Sequence, residues 1–212
     1  MKAHRFRLAA ASAAVLAALA AAFPASPAQA QAQDPYHPYT HSDLSFTGVA
    51  PGSAVEVNPR FLQEEALPAD AAAVVITFGG SARDGWPVAG VEATADYDNC
   101  RRISSGDNWN GVSCYFLDFP DVPGQVLALS GPVDYLVDAG ASGPLADCGC
   151  SYGVAAVDAA ELAFQIGVPD WDPGSPDLVH LAAADSWDGP GAGPNPRLSG
   201  RIAIEASGCT GA

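Results

Sequence analysis

Lysine is all but missing from this 212-residue chain, occurring once, at position 2. Arginine is scarce as well. Beyond residue 30, six arginines face 24 acidic residues, so that stretch carries a net charge of −18 with histidine neutral. A surface so poor in cations cannot neutralise phosphates, which excludes nucleic acid and argues against anionic membrane surfaces as partners. The acidity itself reads first as solubility and self-repulsion. Catalytic signatures are missing too: there is no Gly-x-Ser-x-Gly elbow, no His-Glu-x-x-His and no Walker loop. Long apolar runs are confined to one, the sixteen uncharged residues Leu8 to Phe23. That is shorter than the roughly 20 residues a membrane span needs.

What surrounds that run gives it a different meaning. Lys2, Arg5 and Arg7 precede it, and a short proline-containing segment follows, ending in Ala28-Gln29-Ala30. A positive start, an apolar centre and a small-x-small ending make residues 1–30 a cleaved signal peptide, with the working chain starting at Gln31 and exported. No twin-arginine pair precedes the run and no cysteine adjoins the cleavage site, so the general secretory route is expected and a lipid anchor is not. No second apolar segment follows, so no membrane span is expected in the mature chain.

The remaining residues suit one domain with a real core. Residues 31–41 hold two prolines and read as an extended lead-in, and residues 42–212 as the domain. Within it the apolar residues alternate or form short runs: Leu44 and Phe46, Val55 and Val57, Ala72 to Phe78, Val91 to Tyr97, Val112 to Phe119, Gln125 to Ser130, Val133 to Val137, Ser151 to Val157 and Gly200 to Ala206. Turn signals such as Pro51-Gly52, Pro123-Gly124 and Gly131-Pro132 separate them. Only Asp158 to Ile166 has helical spacing, with Asp158 placed as N-cap. The pattern predicts an all-β fold, an antiparallel β-sandwich of about seven to ten strands with at most one short helix. Residues 170–196, rich in Asp, Gly and Pro, are expected to form surface loops around a short strand near Leu178 to Ala182.

Five cysteines, at 100, 114, 148, 150 and 209, point to disulfides in an exported chain. Cys100 and Cys114 end adjacent predicted strands, and bridging them closes a loop worth about 3 kcal/mol. Cys148 and Cys150, split by one glycine, leave two arrangements open. Either they bond to each other and Cys209 is left over, or one of them reaches Cys209. An odd count leaves one cysteine unpaired within a monomer or bridging to another chain.

Candidate chemistry is sparse, and no catalytic residue is named. His37 and His41 are four apart, but Pro38 between them rules out a helix, so both are expected in loops. His180 sits in an apolar run. Paired acids such as Asp96 with Asp98 arise freely in so acidic a chain. The densest acidic cluster, Asp170, Asp172 and Asp177, offers oxygen ligands for Ca²⁺, although it lacks the complete spacing of a calcium loop with its closing glutamate. No other cofactor is suggested. Trp86, Trp109, Trp171 and Trp187 all fall in predicted loops, where an indole caps the end of a core or contacts a partner. Trp171 and Trp187, beside the acidic cluster, are the candidate binding residues.

Several motifs carry a resemblance: Tyr97-Asp98-Asn99-Cys100, Val112-Ser113-Cys114-Tyr115-Phe116, Pro123-Gly124, Pro132-Val133-Asp134-Tyr135 and Cys148-Gly149-Cys150-Ser151-Tyr152. Over residues 42–165 the chain resembles the immunoglobulin-like β-sandwich domains of secreted actinobacterial cell-wall proteins, relatives of sortase-anchored repeat proteins. The resemblance implies an extracellular sandwich stapled by its cysteines, with no catalytic residues to carry over. Residues 202–212 lack the Leu-Pro-x-Thr-Gly sorting signal, so covalent wall anchoring is not expected. The function expected is that of a secreted, non-catalytic binding or structural module at or near the cell surface. Its partner would be an extracellular protein or a polysaccharide. The alternatives are a secreted hydrolase with an acidic site and a calcium-dependent carbohydrate-binding module.

Overall fold

The computed structural model describes residues 36–81, 91–104, 109–137, 139, 150–172, 175–187, 189 and 199–206. They form thirteen strands and one helix. The first seven strands are β1 (Tyr39–His41), β2 (Leu44–Val49), β3 (Ala54–Val57), β4 (Arg60–Gln63), β5 (Ala71–Ser81), β6 (Val91–Thr94) and β7 (Cys100–Ser104). Then come β8 (Trp109–Phe116), β9 (Val126–Leu129), β10 (Val133–Val137) and β11 (Ser151–Asp158). The helix α1 (Ala159–Ile166) and the strands β12 (Leu181–Ala183) and β13 (Gly200–Ala206) complete the order.

One layer is a six-stranded sheet in the order β2-β13-β11-β5-β8-β7. Facing it are a four-stranded sheet, β1-β4-β9-β12, and a three-stranded one, β3-β10-β6. Side chains from all three sheets meet in one core, which contains Phe61, Ile76, Phe78, Val112, Leu127, Tyr135, Tyr152 and Ile204. The expected all-β sandwich with a single short helix is therefore what the chain builds. Thirteen strands exceed the expected seven to ten because several are only three or four residues long and the second layer is split in two. Pairing is antiparallel except between β13 and β2, which run parallel.

Alternation along the central strands explains the helix. On β5, Val74, Ile76 and Phe78 face the main core, while Ala73 and Val75 face the other way. Tyr115 of β8 and Val157 of β11 share that outer face, and Leu162 of α1 closes over it. Burial on both faces is why Ala72 to Phe78 reads as one continuous apolar run. Helix α1 starts where expected, with the Asp158 carboxylate accepting the Glu161 N–H at 2.8 Å. It stops at Gly167, whose φ of +72° suits glycine.

Two histidine and tryptophan expectations need correction. His41 is not in a loop: it lies in β1 and is fully buried. Its Nε2 accepts the Val154 N–H at 3.0 Å, while His37 Nδ1 lies 3.3 Å from the Val154 carbonyl. Strand β13 pairs with β11 only at Ser151 and Tyr152, so the backbone of Val154 needs another partner and the two imidazoles supply it. Trp109 is the first residue of β8, and its ring lies across Gly79 and Gly111. A Cβ on Gly79 would fall 2.1 Å from that ring, so any larger residue there must push the indole aside.

Two outcomes are expected. His41→Leu strands the buried Val154 N–H without an acceptor and lowers the unfolding free energy by about 1–3 kcal/mol in urea titrations. The second concerns tyrosine. Burial holds the Tyr39 and Tyr135 hydroxyls above the ordinary value near 10, with Asp121 adding to the effect at Tyr39. The folded state thus keeps protons that the unfolded chain gives up. Its stability is intact below about pH 10 and declines as pH climbs further. Absorbance at 295 nm should show these two tyrosines ionising only together with loss of the fold.

Candidate functional site

Concave surface gathers at one end of the six-stranded sheet, where β7 begins, β8 ends and the chain leaving α1 passes over. Cys100 and Cys114 stand directly opposite one another on β7 and β8, their Cα atoms 4.0 Å apart, and are bridged as expected. Cys150 is also disulfide-bonded, and its partner lies outside the described residues, as do Cys148 and Cys209.

Asn99, immediately before the bridge, is buried. Its amide donates to the Tyr115 carbonyl at 3.0 Å and the Val179 carbonyl at 2.9 Å, and its Oδ1 accepts the Val179 N–H at 3.1 Å. One side chain thereby straps the segment Leu178 to His180 onto the end of β8. That strap walls a cavity of about 220 Å³ lined by Asn99, Tyr115, Phe116, Leu117, Trp171 and Leu178, among others. Most of that lining is apolar.

Trp171 also borders a second, open groove of about 500 Å³, shared with Asp96, Tyr97, Asp98, Arg101, Asp170 and Asp172. Four carboxylates there face one guanidinium. Arg101 binds Asp170 at 2.8 Å, donates to the carbonyls of Asp98 and Cys100, and lies 5.4 Å from the centre of the Trp171 ring. With side chains 40% and 83% exposed, the Arg101–Asp170 pair contributes little to stability. Its effect is positional, since it sets the indole between cavity and groove. Trp171 also packs against the apolar cluster under α1.

Two of the candidate metal ligands, Asp170 and Asp172, line this groove, and the third, Asp177, adjoins it. Asp170 pairs with Arg101, and the Asp177 N–H donates to Ser175 Oγ at 3.2 Å. Among the described residues no three His, Cys, Asp or Glu side chains come together as a metal site. Trp187, the other candidate binding residue, lines neither cavity; its ring lies against Gly189. Trp86 lies outside the described residues. Sequence reasoning missed Asn99 and Arg101, and it noted Asp96 and Asp98 only as one of many acidic pairs. The signal available was the run Asp96-Tyr97-Asp98-Asn99-Cys100-Arg101, where polar residues lead directly into a disulfide.

No protein-family model and no curated protein matches the chain. Solved structures similar to it include the CaDoc0917–CaCohA2 complex at pH 5.5, with 14% identity over 80% of this chain and 99% of that one, at a TM-score of 0.31. Another is the ASH/PapD-like domain of human CEP192, PapD-like domain 7, with 11% identity over 89% and 96% and a TM-score of 0.22. Likenesses this slight carry no argument about the present chain. No helix among the described residues is long and apolar enough to cross a membrane.

Asn99→Ala should release Leu178 to His180. With two hydrogen bonds to Val179 lost from a buried position, the cost is about 2–4 kcal/mol. Chemical denaturation measures it, and faster amide exchange at Val179 locates it.

Proposed function

We propose that the chain is an exported, non-catalytic binding module acting at or near the cell surface. Its site takes a protein segment that sets a basic side chain beside an apolar one. The observation that carries this reading is the placement of Trp171, with an apolar cavity on one side and four carboxylates on the other. A desolvated apolar pocket supplies the anchor, and complementary charge beside it supplies orientation and a faster encounter. An acidic chain meets basic partners at long range in the same way. A polysaccharide fits less well, because the Trp171 ring is already engaged by Arg101 and by the cluster under α1 rather than standing free for a sugar.

Tryptophan fluorescence tests the reading with three short synthetic peptides: one joining Arg to Leu, one with Glu in place of Arg, and one with Ser in place of Leu. The Arg–Leu peptide should bind at least tenfold more tightly than either control, and added salt should weaken it. Asp98→Asn with Asp172→Asn should abolish the preference for Arg over Glu. Equal binding of all three peptides would overturn the proposal. So would cleavage of a peptide, which points to a hydrolase, or binding of a soluble polysaccharide alone.

A further inference from the structure

Helix α1 is apolar on two sides, and only one of them is used by the fold. Leu162 and Ile166 turn inward and pack on the outer face of the six-stranded sheet. On the solvent side, Ala160, Ala163 and Phe164 recur at helical spacing, Val168 follows beyond the helix end, and all four are exposed. Phe164 is 83% exposed and Val168 is 89% exposed, the two most exposed large apolar residues among those described. Phe164 lies about 200° around the helix from Leu162, so the inward stripe cannot recruit it. Val168 follows the helix-ending Gly167, a position whose apolar side chain ordinarily folds back onto the last turn. Here it stands out in solvent.

The surrounding charge says what covers it. Asp158 and Glu161 flank the stripe at the start of the helix. No basic residue occurs between Asp158 and Asp172. A second copy would bring two acidic rims together, and an anionic membrane would be repelled in the same way. We infer that the solvent side of α1 is a docking surface for a protein partner that presents an apolar ridge edged with lysine or arginine. The inference rests on the reading of the chain as a binding module, but not on the groove around Trp171, which lies on other residues.

The probe is a synthetic amphipathic helical peptide with leucine at i, i+3, i+4 and i+7 and lysine elsewhere. Two companions isolate the terms: one with glutamate for lysine, the other with serine for leucine. Fluorescence anisotropy should show the Leu/Lys peptide binding at least tenfold more tightly than both. The double variant Phe164→Ser/Val168→Ser changes only exposed side chains and should keep the wild-type melting temperature. It should lose at least tenfold in affinity for this peptide while binding the short Arg–Leu peptide as wild type does. If Arg–Leu binding fails and Leu/Lys binding holds, the groove reading falls alone. If the double variant binds the Leu/Lys peptide unchanged, or glutamate serves as well as lysine, the surface is not a docking site of this kind. Sedimentation showing wild-type dimers that the double variant cannot form would make a second copy the occupant and overturn the inference.

Discussion

Buried backbone amides and carbonyls must be paired, and in this sandwich the strands are too short to pair them all. Side chains take over at each gap, in the same manner three times. Asn58 donates to the Leu129 carbonyl and accepts the Leu129 N–H, at 3.0 and 3.1 Å, standing in for a strand residue beside β9. Asn99 treats Val179 identically. His37 and His41 divide the same task at Val154. Each substitution joins segments far apart in sequence, so these polar contacts fix where the layers meet. Apolar burial supplies the larger driving force, but it is non-directional and does not choose among registers.

The same constraint decides how much could be read in advance. β5, β8 and α1 were legible because each carries its own complete signal: a continuous apolar run, an aromatic and β-branched alternation, and a capped amphipathic stripe. β1 and β4 were not. Tyr39-Thr40-His41 and Arg60-Phe61-Leu62-Gln63 place His41 and Gln63 facing inward, and a buried polar residue breaks the alternation that marks a strand. Gln63 is tolerated because Asp121, the Glu65 carbonyl and the Val122 N–H bond it completely. That solution exists only once the chain has folded. The Cys100–Cys114 pairing was legible because the loop between them is short and both ends sit on adjacent strands.

The candidate site shows a comparable division. Trp171 with Asp170 and Asp172 stood out by local composition, and they do lie together at the groove. Their role changed with the partners that folding brought. Arg101, sixty-nine positions away from Asp170, converts one member of a supposed ligand set into half of an ion pair. Asp177 is joined to the groove by its backbone, its carbonyl accepting the Asp98 N–H at 3.0 Å and its N–H donating to Ser175, whose hydroxyl bonds Asp98 at 3.1 Å. Acidity alone therefore says little about metal. What matters is whether the carboxylates converge with free oxygens, and here they spread along an open groove.

Arg101 is also the key to what that groove can accept. It is one of two basic side chains on β7, and its guanidinium already rests over Trp171 and against Asp170, in the position a partner's cation would seek. On the proposed reading, an incoming arginine or lysine must either displace it or use other carboxylates of the groove, those of Asp96 and Asp98. The second course is the less costly, because Arg101 is tied to two backbone carbonyls as well as to Asp170. Trp171 then stays in place as the wall of the apolar cavity. On the proposed reading, a single organic cation meets the groove and its uncharged neighbour fills the cavity beside it.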